Sequence, residues 1–266
     1  MAVQPPTQAP PAEPPPEPPD RQEEGRLLTI LEHLQELRYR VMVSMGALVV
    51  GVLVSFWPLT AWTVAFLKRP AEAEIEGFET FFFDPLEGWT TYFGVSLLLG
   101  IALSMPVLLY QALAFVGPGL SSAERRWLYP IVIGASLSFV GGMAFAYYLE
   151  LPAFLGFLLD PPGGIGEPLI GVRKYLGFVT RLLLVMGLIF ELPLVVMGLA
   201  KLGVVTSQKL WGWKRHALIL AFVVAAIVTP TIDPINQSIV AAPIIVLYFA
   251  GIGLAKLVEG NPVLSR

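Results

Sequence analysis

Residues 32–57 read EHLQELRYRVMVSMGALVVGVLVSFW. Four charged side chains, Glu32, Glu36, Arg38 and Arg40, crowd the first nine positions, and the run from Val41 to Trp57 carries none. An apolar helical stretch of roughly 20 residues matches a hydrocarbon core of ~30 Å. The chain therefore enters a membrane just after a cluster of carboxylates and guanidiniums. Upstream, Leu27, Ile30, Leu31, Leu34 and Leu37 recur at helical spacing. The reading is an amphipathic lead-in helix at the membrane surface that merges into the first span.

The rest of the composition agrees. The chain has 266 residues, of which 55% are hydrophobic and 14% charged, with a mean hydropathy of +0.70; a soluble domain carries about 25% charge. A net charge of −3 argues against nucleic acid, which needs a basic surface. There is no cysteine, and there are only two histidines, His33 and His216, so neither a disulfide framework nor a zinc site is expected. Residues 1–25, with prolines from Pro5 to Pro19 among acidic residues, cannot bury apolar surface and read as a disordered, partly polyproline-II tail. The expected division is this tail, a membrane domain over 26–260 and a short tail over 261–266.

Further apolar runs cover about Tyr92–Val116, Trp127–Leu149, Tyr175–Ala200, Ala217–Thr229 and Ile239–Val258, and the first run has an amphipathic continuation to Leu67. The fold class expected is all-α, a polytopic membrane protein with six transmembrane helices around a concave face. The fifth run is short, ~20 Å as a helix, and Pro230 and Pro234 place it in a tight hairpin with the sixth. Twelve of the 17 Lys and Arg residues fall in alternate segments that include both termini, against four in the opposite set. That bias puts both termini in the cytoplasm. The first outer loop is acidic and carries Phe78, Phe81, Phe82 and Phe83, which reads as a short structure lying at the outer membrane surface.

Several polar residues need a reason. Glu191 sits deep in the fourth span, two residues before Pro193, where an intramembrane carboxylate costs about 2.5–3.5 kcal/mol on insertion scales. It faces a cavity or a partner, or is protonated, or it holds the fold by an interhelical hydrogen bond; Pro193 is expected to kink the helix. Glu36 and Arg40 stand at i and i+4, the favourable order for an ion pair, and the pair and a binding site are both open readings. Glu32, four residues before Glu36, is a like charge that stability alone does not favour. Ser121-Ser122-Ala123-Glu124 has the form of a capping box. Asp233 sits where it favours a helix N-terminus, and Gln237, at helix depth, offers hydrogen bonds to a helix or a ligand. Tyr147 and Tyr148 fit an interfacial belt. No His-Glu-x-x-His, Gly-x-Ser-x-Gly or phosphate-loop pattern occurs, so no enzyme is expected.

An ordered set of motifs carries a resemblance: His33-Leu-Gln-Glu36-Leu-Arg38-Tyr-Arg40, Asp84-Pro85-Leu-Glu87, Pro106-Val-Leu-Leu-Tyr110-Gln111 and Ala114-Phe115-Val-Gly-Pro118-Gly-Leu120. Glu124-Arg125-Arg126, Met143-Ala-Phe-Ala-Tyr147, Phe190-Glu191-Leu-Pro193 and Thr229-Pro230 through Asp233 and Gln237 follow. From about Leu28 to Val258 the chain resembles TatC, the multispanning receptor of the twin-arginine protein translocase. The resemblance implies a receptor in the plasma (inner) membrane that binds twin-arginine signal peptides of folded proteins at its cytoplasmic face. By it, Glu36 and Glu124 hold the two arginines, with Arg38 and Phe115 near them. It also implies that Glu191 is the polar residue of the concave bundle where partners lie, and that Pro70, Asp233, Gln237, Arg125 and Arg126 match family positions. Implied partners are the single-span proteins TatA and TatB, with further copies of the chain in the complex; implied energy is the proton motive force, without cofactor or metal. Two rigid guanidinium forks suit two carboxylates, and the two acids are expected within about 15 Å, since charges beyond a Debye length of ~8–10 Å hardly cooperate.

Departures exist. Ser121-Ser122-Ala123 replaces the Tyr-x-His often seen before Glu-Arg-Arg, Asp84 a common Ser, and Gly94 a frequent Lys. The rival reading from another class is a proton-coupled small-solute transporter with Glu191 as proton carrier, which predicts internal repeats and a midplane site.

Overall fold

A computed structural model describes residues 19–74, 78–116, 128–159, 170–201, 203–229 and 233–259. The chain is helical almost throughout them. Helix α1 runs without interruption from Pro19 to Phe56, so the lead-in helix and the first span are one element. Proline is tolerated in a first helical turn.

The break after α1 is at Trp57, because the residue before a proline is driven away from helical backbone. Helix α2 then starts at Pro58 and runs to Glu74; it is a separate helix, not a continuation of the first span. The carbonyls that α1 leaves unpaired at this joint find side-chain donors. Thr60 Oγ1 donates to the Ser55 carbonyl at 2.9 Å, and the Tyr92 hydroxyl donates to that of Phe56 at 2.6 Å. Helix α2 buries Thr60, Thr63, Leu67 and Ala71, a stripe at helical spacing.

Helix α3 follows over Glu87–Val116. Helix α4, Leu128–Phe145, passes through one π-helical turn, Ala146–Glu150, into α5, Leu151–Leu159. Helix α6 covers Val172–Lys201, the short α7 Ser207–Gly212, α8 Lys214–Val228 and α9 Pro234–Glu259. Two short strands, β1 at Thr80–Phe81 and β2 at Ile170–Gly171, pair in parallel. They tie the segment after α2 to the segment before α6.

Helix α6 is the spine: α2, α3, α4, α8 and α9 all pack on it. Its buried Leu176, Val179, Leu182 and Met186 meet Phe154 and Leu155 of α5, Leu67 of α2 and Val240 of α9 in one core. Two helix crossings are close because glycine faces backbone. A Cβ on Gly51 of α1 would lie 2.6 Å from the Gly100 carbonyl oxygen of α3. One on Gly142 of α4 would lie 2.6 Å from the Met186 carbonyl oxygen and 2.9 Å from the Gly187 Cα of α6.

Among the described residues five helices are long and apolar enough to cross a membrane: Leu31–Phe56, Glu87–Phe115, Tyr129–Phe157, Val172–Lys201 and Pro234–Glu259. Of the six spans expected, five reach that length, and the sixth is the run already read as short. Helix α8 forms where the short fifth span was expected, and its 15 residues reach about 22 Å, short of a ~30 Å core. The third span also runs past its expected end at Leu149, through the π turn to Phe157.

Candidate functional site

The charged cluster of Glu36 and Arg40 is folded on one face of α1. Arg40 lies one helical turn beyond Glu36, and its Nε and Nη2 both donate to Glu36 Oε1, at 2.9 and 2.6 Å. The ion pair allowed by the spacing is therefore made. The remaining amino group of Arg40 reaches across to α3, where Nη1 donates to Gln111 Oε1 at 3.2 Å. The Glu36 side chain keeps 32% of its surface exposed and Arg40 keeps 20%, so the pair adds little to stability, roughly 0–1 kcal/mol. Its consequence is positional: Arg40 is held from two helices, and Glu36 is fixed in one rotamer at the mouth of the span. Among the described residues Glu36 Oε2 accepts no hydrogen bond.

Beside it, His33 stacks on Phe115 with ring centroids 4.5 Å apart. This contact pins the start of the first span against the end of α3. Arg38 is exposed. The structure thus brings Glu36, Arg40, Gln111, His33 and Phe115 together where α1 and α3 meet. Gln111 and His33, both within the family-like motifs, thus gain a role that local sequence does not reveal. Glu124, Arg125 and Arg126 lie outside the described residues, and with them the expected closeness of the two acids.

The intramembrane residues sit elsewhere. Glu191 is buried on α6, and among the described residues its Oε1 has no hydrogen-bond partner. Its neighbours Phe190, Pro193 and Leu194 line a groove of about 550 Å³ with Pro130 and Ser138 of α4 and Leu247 of α9. Proline at 193 loosens the helix ladder on this face, and Ser138 Oγ donates to the Phe190 carbonyl at 2.9 Å. Asp233 takes the N-cap of α9: its Oδ1 accepts the Asn236 N–H at 2.7 Å and its Oδ2 the Asn236 side-chain amide at 2.9 Å. Gln237 follows half-buried in the first turn.

Pro70 is inside α2 and has no N–H for the carbonyl of Phe66. The Tyr147 hydroxyl donates to that carbonyl at 2.8 Å, and the Tyr175 hydroxyl donates to the next one, Leu67, at 2.8 Å. Tyr147 is buried, so it is not the interfacial-belt residue expected; only Tyr148 is exposed. A second buried acid escaped the sequence reading altogether. Glu150 ends the π turn, 3% exposed, with neither carboxylate oxygen hydrogen-bonded among the described residues. It fell one residue past the apolar run, and only the continuation of the helix into α5 places it inside. Among the described residues no cluster of acids and histidines is fit to hold a metal ion.

Comparison with known proteins gives the family. Residues 32–243 match the model of the Sec-independent protein translocase protein (TatC). A Synechocystis TatC is 39% identical over 241 residues, covering 86% of this chain and 89% of the relative. The chloroplastic TATC of Arabidopsis thaliana is 38% identical over 234 residues, 88% of this chain and 68% of that one. A solved structure described as the twin arginine translocase receptor TatC superposes with a TM-score of 0.78 at 33% identity, covering 85% of this chain and 98% of the other. Fold, matched length and identity agree: the chain is a multi-pass membrane protein of the TatC family, with a role in Sec-independent protein translocation.

Proposed function

We propose that this protein is the receptor core of a twin-arginine translocase, which grips the two signal-peptide arginines with Glu36 and Glu124. The observation that carries the proposal is the state of Glu36. It is a part-exposed carboxylate at the mouth of a span, with one oxygen held by Arg40 and the other unengaged among the described residues. A ligand guanidinium fork donating to Glu36 makes a charge-assisted pair at Oε2. When the ligand competes for Oε1 as well, Arg40 retains its bond to Gln111. Gln111 thus gives the displaced cation somewhere to go and lowers the cost of exchange. Lysine, a compact point charge without the fork, is the poorer ligand.

In this reading Arg38 and Phe115 border the bound peptide. Glu191, Gln237 and Asp233 belong to the region where TatA- and TatB-like single-span helices and further copies of the chain meet it. Pro70, Arg125 and Arg126 keep their family-matched places. The site faces the cytoplasm of an inner membrane, with both termini on that side, and the proton motive force drives export of folded cargo. Binding of a labelled twin-arginine signal peptide to the protein in nanodiscs tests this. Glu36→Ala and Glu124→Ala should each weaken binding at least tenfold, as expected for a charge-assisted pair of about 1.5–3 kcal/mol. A Lys-Lys peptide should bind as poorly to wild type. Undiminished binding by both variants would reduce the acids to an ion pair and a helix cap.

A further inference from the structure

At the end of the bundle away from Glu36, the joint between α1 and α2 meets the start of α3 around a cleft of about 700 Å³. Its walls include Phe56 and Trp57 at the joint, Phe82 and Asp84 of the segment before α3, and Trp89 and Tyr92 of α3. Five aromatic rings thus converge on one hollow with a single charged residue, a carboxylate, among its described lining residues. We infer that this cleft binds the ammonium of an ethanolamine phospholipid headgroup.

Four observations support the occupant. Aromatic faces carry negative quadrupole charge and attract cations placed over them; Asp84 adds a negative charge, and among the described residues no Lys or Arg lines the cleft to favour an anion. The rings are held in place. Tyr92 is anchored by its hydroxyl to the Phe56 carbonyl, and it packs edge-on against Phe56 at 5.2 Å and Trp89 at 6.5 Å. Asp84 is held as well, its Oδ1 accepting the Leu86 N–H at 2.8 Å. The cleft is also open at the level where headgroups lie, at the ends of two long spans, with Trp57 79% and Trp89 60% exposed.

The fourth observation distinguishes a lipid from a free amine. Directly along the spans below the cleft, Val50, Leu53 and Val54 of α1 and Phe93 and Leu97 of α3 are exposed. They offer an apolar bed for acyl chains continuous with the headgroup cleft. A plain interfacial belt needs aromatic rings only at a common depth; it does not need them to close around a hollow with a carboxylate.

Native mass spectrometry of the full chain in detergent, with equal amounts of dioleoyl phosphatidylethanolamine and phosphatidylglycerol, tests the assignment. Wild type should retain the ethanolamine lipid about tenfold over the glycerol lipid, the scale of one cation–π contact with partial desolvation. Asp84→Asn and Trp89→Leu should each bring the ratio close to unity. Trp62→Leu, which removes an exposed ring outside the cleft, should leave the preference intact. Equal retention of both lipids by wild type would overturn the proposal, as would an unchanged preference in both cleft variants at wild-type melting temperature. Displacement of the lipid by an equal concentration of soluble phosphoethanolamine would overturn the lipid as occupant.

Discussion

At the scale of single residues, the feature that explains most is the exchange of hydrogen-bond partners at Pro70. Inside a membrane domain a backbone carbonyl without a donor is costly, because no bulk water is there to take its place. Pro70 withdraws the N–H due to Phe66, and the Tyr147 hydroxyl replaces it at 2.8 Å, which joins α2 to the π turn. The two residues are therefore coupled. Tyr147→Phe alone should lower stability by about 1–3 kcal/mol, the cost of an orphaned buried acceptor. In a Pro70→Ala background, where the alanine N–H is restored to the Phe66 carbonyl, the same change should cost less than half as much. Thermal melting of the four proteins in detergent reads this cycle; additive losses would mean that the tyrosine does not serve the carbonyl freed by proline. Glu150, by contrast, is a buried acid whose carboxylate lacks any hydrogen bond in the described structure, a placement that intramembrane acids seldom take without a role.

At the scale of elements, the crossing of α4 on α6 decides how tightly the bundle closes. Helices in lipid gain little from apolar burial and associate through close packing, for which small residues are selected. Gly142 faces the α6 backbone, whereas its neighbour Gly141 has nothing within 4 Å of an added Cβ. Gly142→Val should destabilise the protein by about 1–3 kcal/mol, the usual cost of overpacking, and Gly141→Val should be close to neutral. Melting temperatures in detergent compare the two; equal effects would show that the crossing relaxes freely. The same crossing positions Ser138 and Phe190 beside the groove next to Glu191, so a shift there reaches the intramembrane region of the proposed partner contacts.

At the scale of the whole molecule, the short α8 and its hairpin with α9 determine whether the chain ends on the side where it began. Five helices alone would place the termini on opposite sides; α8, short as it is, has to count as a pass for the charge bias to be obeyed. Single cysteines provide the test, since the natural chain has none. Glu79→Cys and Arg173→Cys, flanking the paired strands, should react with an impermeant maleimide from outside intact cells. Gln208→Cys in α7 should react only after the cells are opened. Labelling of Gln208→Cys in intact cells would invert the proposed orientation of α8 and α9.

Much of this organisation follows directly from the chain. The apolar run after Arg40 gives the first span, the 3.6-residue stripe gives its lead-in helix, and the i, i+4 order of Glu36 and Arg40 gives their ion pair, because each depends on neighbours within a few turns. Motifs in sequence order likewise sufficed to reveal the TatC resemblance. What needed the third dimension were contacts between residues far apart in the chain: Gln111 completing the hold on Arg40 across 71 positions, Tyr147 serving Phe66 across 81, and β1 meeting β2. Local periodicity carries no information about such pairs, since it fixes which face a side chain takes but not which helix comes to lie against it. For the same reason the burial of Glu150 and Tyr147 was illegible. Their place inside the protein is set by a π turn and a neighbouring α2, and both are decided only when the helices pack.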